Sequence, residues 1–253
     1  ARTPMPNGIG SEGTKVEEAR RQFFREYRVV LAVGAHPDDI ELGCGGTLAV
    51  ARNQDCELHA ATFSKCEDEA TDGIGARAEE FARASGVLGA KPILFDIPNR
   101  EFPEHRNRIM ALMENLQQEL KPDIVFTMDP SFFYYKSYGM VNHSDHRAIG
   151  EATLDACYPL ARDLMSFPEH AEEGLTPHKV KELLLHSFVP ENANFYVDVT
   201  NTFDTKIKAL SLHKSQVGDM QRIEKRMRDR AEVSGRLARC KYAESFVRLQ
   251  LPE

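Results

Sequence analysis

One apolar run constrains this chain more than any other feature. Residues 28–34 read Arg-Val-Val-Leu-Ala-Val-Gly, with no polar side chain between Arg28 and Gly34. A strand that is apolar at odd and even positions alike must be covered on both faces, as the interior strands of parallel sheets are. The pattern then alternates. Residues 45–53 read as a helix, 57–63 as a strand, 74–88 as a helix ended by Gly89, and 92–97 as a strand. Residues 104–120 place Ile109, Leu112, Met113, Leu116 and Leu120 at helical spacing, and 122–128 form the next strand. Further on, 144–164 read as a helix, 181–188 and 195–199 as strands, 201–214 and 219–239 as helices, and 242–249 as an extended tail. Strands separated by helices imply βαβ units, hence an α/β fold with a mainly parallel sheet flanked by helices.

Composition narrows the function classes. A chain of 253 residues buries a sizeable core without disulfides. Residues 1–27 read as a flexible arm with a possible helix over 16–27, and 28–253 as a single domain. Lys and Arg number 32 against 39 Asp and Glu, a formal charge of −7. That balance argues against a nucleic-acid binder. The basic stretch 222–230 is interleaved with Glu224 and Asp229 and reads as a solvated helix face. No apolar run reaches the roughly 20 residues of a membrane span, and residues 1–27 hold no apolar signal-peptide core. Cys44, Cys56, Cys66, Cys157 and Cys240 form no C-x-x-C pair, so neither a disulfide framework nor a thiolate zinc site is suggested. A reducing cytoplasm is the expected compartment.

Ligands of open α/β sheets bind at the carboxyl ends of strands. After the first strand comes Ala35-His36-Pro37-Asp38-Asp39-Ile40-Glu41, and after the fourth comes Asn142-His143-Ser144-Asp145-His146. Two imidazoles and a carboxylate, with one position left to water, make a catalytic zinc composition. Two adjacent carboxylates do not easily ligate one small ion together, so one ligand and one base is the economical division. Asp38 and Asp39 as a helix cap is the bland alternative. Gly43, Gly45 and Gly46 miss the G-x-G-x-x-G spacing and favour close helix–strand packing over phosphate binding. His59, His105, His170, His178 and His186 lack clustered partners and read as structural. The aromatic loop 129–142, with Phe132, Phe133, Tyr134, Tyr135 and Tyr138, is expected to cover the active site or to pack on a second copy in a homo-oligomer.

At these residues the chain resembles the PIG-L (LmbE-like) family of metal-dependent N-acetylglucosaminyl deacetylases. The resemblance rests on the 35–41 and 143–146 segments. It extends through Gly45-Gly46-Thr47, Arg77-Ala-Glu-Glu80 with Leu88-Gly89, His213-Lys-Ser-Gln216 and Tyr242-Ala-Glu-Ser-Phe246. It implies a Rossmann-like three-layer fold and one Zn²⁺, for which Fe²⁺ or Co²⁺ substitutes. It implies His36, Asp39 and His146 as ligands and Asp38 as general base. His143 becomes the group that steadies the oxyanion, with Asp145 as its orienting partner holding it protonated. The substrate implied is an N-acetylated amino sugar or glycoconjugate. Two positions depart from the family. Val141 stands where some members have Tyr, leaving Tyr134, Tyr135 or Tyr138 as replacement, or no such donor. Asn99 stands where sugar deacetylases often carry Asp, with Asp96 and Arg100 nearby. The readings from other classes are a non-haem Fe(II) oxygenase, built on His36, Asp38 and a distant His, and a binding protein with an inactive site.

Overall fold

The computed structural model describes residues 22–66, 75–136, 139–186 and 189–253. Most of the expected N-terminal arm and Tyr138 lie outside them. Of the possible helix over 16–27, a 3₁₀ turn at Phe23–Glu26 falls within the described part.

The first half alternates as the pattern predicts: β1 (Val29–Gly34), α1 (Asp39–Arg52), β2 (Glu57–Thr62), α2 (Ala76–Leu88), β3 (Ala90–Leu94), α3 (Arg106–Leu120) and β4 (Ile124–Met128). A short hairpin follows, β5 (Tyr134–Tyr135) and β6 (Met140–Val141), then α4 (Ser144–Cys157). The rest is β7 (Glu182–His186), β8 (Phe195–Asp198), α5 (Phe203–Leu210), α6 (Met220–Ala238) and β9 (Ala243–Gln250). The main sheet has seven strands in the order β3-β2-β1-β4-β7-β9-β8. Pairs from β3 to β7 are parallel, and β9 runs antiparallel to both neighbours.

β1 explains the layering. Val30, Leu31, Ala32 and Val33 are all fully buried. Val30 and Ala32 join the core under α1, α2 and α5, with Leu48, Phe81 and Phe203. Leu31 and Val33 join the opposite core under α3 and α4, with Ile109, Met113 and Ile149. Each such valine, leucine, isoleucine, methionine or phenylalanine contributes about 1.5–3 kcal/mol by leaving water. Successive connections from β1 run to β2 on one side, and β4 begins the other side. The topological switch point therefore lies between the carboxyl ends of β1 and β4.

Two helix ends differ most from the sequence reading, and the extended tail proves to be an interior strand. Helix α1 begins at Asp39 rather than at 45, so the second acidic residue of the motif is already helical. Gly43, Gly45 and Gly46 depress helix propensity and hide that start. They are there for close packing, as expected: a Cβ on Gly43 would overlap the His186 ring, and one on Gly46 would lie 3.0 Å from Val199. Helix α4 stops at Cys157, short of 164, because Pro159 lacks an N–H and its ring obstructs a continuing turn. The tail at 242–249 is β9, an interior strand hydrogen-bonded on both sides.

Two ion pairs hold this third of the sheet, one half-buried and one buried. Glu182 accepts from Arg248 at 2.8 and 2.6 Å and from the Tyr27 hydroxyl at 3.0 Å. Glu244 on β9 accepts from the N–H groups of Gly46 and Thr47 in α1, at 3.1 and 2.7 Å, and from Lys206 at 2.5 Å. Among the described residues, no helix is long and apolar enough to cross a membrane.

Candidate active site

The turn from β1 into α1 sets the first half of the site. Asp38, at φ 150° and ψ −17°, occupies a conformation that L-residues rarely adopt. Such strain persists where the surroundings over-determine it. The turn folds Asp39 back so that its Oδ2 accepts from the N–H groups of Ala35 and His36 at 3.0 and 2.8 Å. Its Oδ1 is left facing His146 Nε2 at 3.2 Å. The second half comes from the start of α4, where His143 is the N-cap and His146 lies on the first turn.

The two motifs meet. His36 Nδ1 lies 3.2 Å from His146 Nε2 and 3.5 Å from Asp39 Oδ2. His36, Asp39 and His146 offer ligand atoms within 4.8 Å of one another. The nitrogen–nitrogen–oxygen donor set is that of a catalytic zinc site. The far nitrogen of His36 also fits, because Nε2 lies 3.2 Å from the fully buried Asp145 carboxylate. A metal-binding imidazole normally has its other nitrogen fixed in this way.

The charges of the cluster follow from its geometry. Burial works against the charge on His36, but Asp145 and Asp39 carry it up to about 11. Burial likewise opposes charge on His146, and Asp39 outweighs it, so its pKa is also raised. Asp39 stays well below the usual carboxylate range, because His146 and His36 overcome its burial. Asp38 goes the other way. Burial and the Asp39 carboxylate push it up to about 7, against the pull of Arg77 and His213.

His143 departs from the expectation drawn above. Asp145 stands 3.9 Å from His143 Nδ1, farther than from His36. That Nδ1 instead accepts the backbone N–H of Asp145 at 3.1 Å. A nitrogen that accepts carries no proton, so the proton of the neutral ring sits on Nε2. Burial and the nearby His36 lower its pKa below the ordinary imidazole value, despite Asp145. The geometry thus presents a neutral N–H donor rather than an imidazolium.

Of the replacement tyrosines, Tyr135 is buried and lines a cavity beside His143, whereas Tyr134 is exposed at 63% and does not line it. The β5–β6 hairpin contributes Tyr135, Met140 and Val141 to one wall of that cavity. Asn99 is partly buried, with no hydrogen-bond partner for its Nδ2 among the described residues, and the N–H of Arg100 bonds Asp145 at 2.7 Å. Asp96 is elsewhere, on the surface with Arg108.

Two further groups stand behind the Asp38 turn, and another histidine is buried nearby. Arg77, buried on α2, reaches within 3.7 Å of Asp38. His213 stands 3.4 Å from Glu41, both fully buried, behind the same turn. His186 is buried, with neither ring nitrogen hydrogen-bonded among the described residues, and burial lowers its pKa to about 3. The signal for Arg77 and His213 was their place in the R-A-E-E and H-K-S-Q segments. The remaining histidines do have structural partners: His59 with Glu57, His105 with Glu101, His170 with Glu114 and His178 with the Pro122 carbonyl.

The family described as PIG-L, GlcNAc-PI de-N-acetylase, matches residues 31–157, just over half of the chain, including both motifs. The chain belongs to the PIG-L family. Diacetylchitobiose deacetylase of Thermococcus kodakarensis is 25% identical over 247 residues, 92% of this chain and 87% of the relative. A probable N-acetyl-alpha-D-glucosaminyl L-malate deacetylase of Bacillus subtilis is 23% identical, covering 81% of this chain and 90% of its own. The solved structure of N,N'-diacetylchitobiose deacetylase from Pyrococcus horikoshii superposes with a TM-score of 0.79 at 23% identity, over 98% of this chain and 95% of that one. Membership of this family of deacetylases, on a Rossmann-like sheet, disfavours the oxygenase reading, whose metal triads usually ride on all-β jelly rolls.

Proposed function

We propose that this PIG-L protein is a zinc-dependent hydrolase that removes an N-acetyl or other N-acyl group from an amino-sugar-containing small molecule or glycoconjugate. One observation carries the reading: the His36–Asp39–His146 donor set lies beside a carboxyl, Asp38, whose pKa is raised toward neutrality. The relatives named above, which act on N-acetylated amino sugars by their names, support the substrate class.

His36, Asp39 and His146 would hold the ion. Bound there, zinc supplies Lewis acidity for the acyl oxygen and lowers the pKa of water. Asp38 takes the proton of the attacking water as the carbon–oxygen bond forms. His143 donates from Nε2 to the developing oxyanion. When the carbon–nitrogen bond breaks, the proton on Asp38 is delivered to the leaving amine, giving a free amino sugar and a carboxylate. Asp145 and Asp39 orient His36. Fe²⁺ or Co²⁺ suits the same donors.

Acetate release from a panel of N-acetylated amino sugars tests this, with zinc-loaded protein and with protein stripped by chelator. Metal-dependent release without oxygen or 2-oxoglutarate is expected. Absence of release from every sugar amide by fully loaded protein would defeat the proposal.

A further inference from the structure

Asp38 and Glu41 stand three positions apart at the start of α1, with Asp38 as the N-cap and Glu41 on the first turn. That is the spacing of a capping box, in which the N-cap side chain accepts an N–H of the first turn and the later acid reaches back to the N-cap N–H. The box is not formed. Asp38 makes no side-chain cap bond. Its own N–H donates to the His36 carbonyl at 3.1 Å, and neither oxygen of Glu41 accepts a hydrogen bond among the described residues.

Two cations draw the carboxylates apart instead. Arg77 Nη2 lies 3.7 Å from Asp38 Oδ1, and His213 Nε2 lies 3.4 Å from Glu41 Oε2. Glu41, His213 and Arg77 are all buried. Burial opposes charge on His213, but Glu41, Asp38 and Glu80 raise its pKa. Helix α2 supports both contacts. Arg77 and Glu80 are three apart on it and so share a face. Glu80 accepts from the N–H and the hydroxyl of Ser215 at 2.9 and 2.6 Å, which seats the turn that carries His213.

We infer that His213 is a positioning residue for the reaction proposed above: by holding Glu41 away from the N-cap, it leaves the Asp38 carboxylate uncapped and free to take the proton of water. The inference rests on Asp38 as the base. An N-cap normally has an extended backbone, which Asp38 at φ 150° does not. Without His213, Glu41 is released toward the Asp38 N–H, the turn relaxes, and the Asp38 carboxylate swings onto the N–H of Ile40 or Glu41.

His213→Ala in the metal-loaded protein should lower kcat by roughly 10²-fold, the cost of misplacing a catalytic group by about an ångström, with KM and metal content near those of the parent. His213→Gln keeps a donor toward Glu41 and should recover part of the loss. Glu41→Gln should lose kcat in the same way, because a glutamine completes the box without attracting His213. A cycle with Asp38→Asn decides the route: if His213 acts through Asp38, adding His213→Ala to Asp38→Asn lowers kcat no further. Equal losses in both backgrounds, or a loss that follows metal content, overturn the inference and leave the deacetylase reading intact. Crystals of His213→Ala need no turnover. Asp38 bonded to the N–H of Ile40 or Glu41 sustains the positioning role even if no sugar amide is cleaved, and Asp38 unmoved beside Arg77 removes it. Should His213→Ala fail to fold, the nearly isosteric Glu41→Gln carries the same cycle and the same crystallographic comparison.

Discussion

Asp145 stands closer to His36 than to His143: its Oδ2 is 3.2 Å from His36 Nε2 and 3.9 Å from His143 Nδ1. The carboxylate that lies between the two motif histidines in sequence therefore acts across the sheet switch point, on the opposite motif. Its second bond, to the N–H of Arg100 at 2.7 Å, fixes it from a third loop.

Removing that carboxylate should show first in metal affinity. Asp145→Ala frees the far nitrogen of His36, and loss of such a partner typically lowers affinity by about 10–100-fold. Competition with a chelator measures it. Unchanged affinity with reduced turnover would restore Asp145 to His143.

The ligands themselves carry a proton signature. His36 has a pKa raised to about 11 in the metal-free protein and so is protonated at neutral pH, and the pKa of His146 is raised as well. Metal binding must displace the proton of His36, and affinity should fall as pH falls. Calorimetry in buffers of differing ionisation enthalpy should find about one proton or more released per ion. His36→Ala, Asp39→Ala and His146→Ala should each lose most of the bound metal; full occupancy in all three would refute the site.

The pH–rate profile tests the division between base and donor. Asp38 must be ionised, so activity should fall as pH falls through its pKa. That limb should lie between the ordinary 3.8 and about 7, since a bound cation favours the ionised form. His143 donates from its neutral ring, so no alkaline limb should follow from losing its second proton. This replaces the imidazolium expected from the resemblance. Asp38→Asn should abolish most turnover with metal retained. His143→Ala should cost about 10²–10³ in rate, with partial rescue by His143→Gln. A sharp alkaline limb that disappears in His143→Ala would instead mark the imidazolium as the donor.

Away from the chemistry, Glu182 should report on stability. Burial opposes its charge, but Arg248 and Tyr27 hold its pKa below the usual value. A carboxylate depressed in the folded state stabilises above its unfolded pKa and ceases to as pH falls through the folded one. Glu182→Gln should therefore destabilise by about 1–3 kcal/mol at neutral pH, allowing for the part-exposed Arg248. The loss should shrink as pH falls below the ordinary glutamate value of 4.5 and through the lower folded-state pKa. Urea unfolding at the two pH values measures the difference.

The sequence made the α/β layering legible because the apolar residues of β1 and β4 are contiguous and their helices are periodic. It made the six motif residues legible because strand ends concentrate chemistry. It did not reveal the tautomer of His143, which a backbone N–H decides. It placed Arg77 and His213 within family segments but not beside Asp38, because the contacts come from α2 and from the turn after α5. The start of α1 was obscured by glycines whose role is steric. The cavity was invisible for a different reason: its walls come from α1, β4, a hairpin and α6, and no local pattern in any one of them announces a shared surface.

Strand β9 has a kinetic implication. It follows every other strand in chain order, yet it lies inside the sheet, and its Glu244 holds Gly46 and Thr47 across 198 and 197 positions of chain. A ribosome delivers the N-terminal side first, at about 5–20 residues per second. For roughly ten seconds or more on that scale, α1 and the acidic turn before it must wait without their anchor, and β7 and β8 without the strand between them. The site is thus among the last parts of the molecule to be secured as the chain emerges.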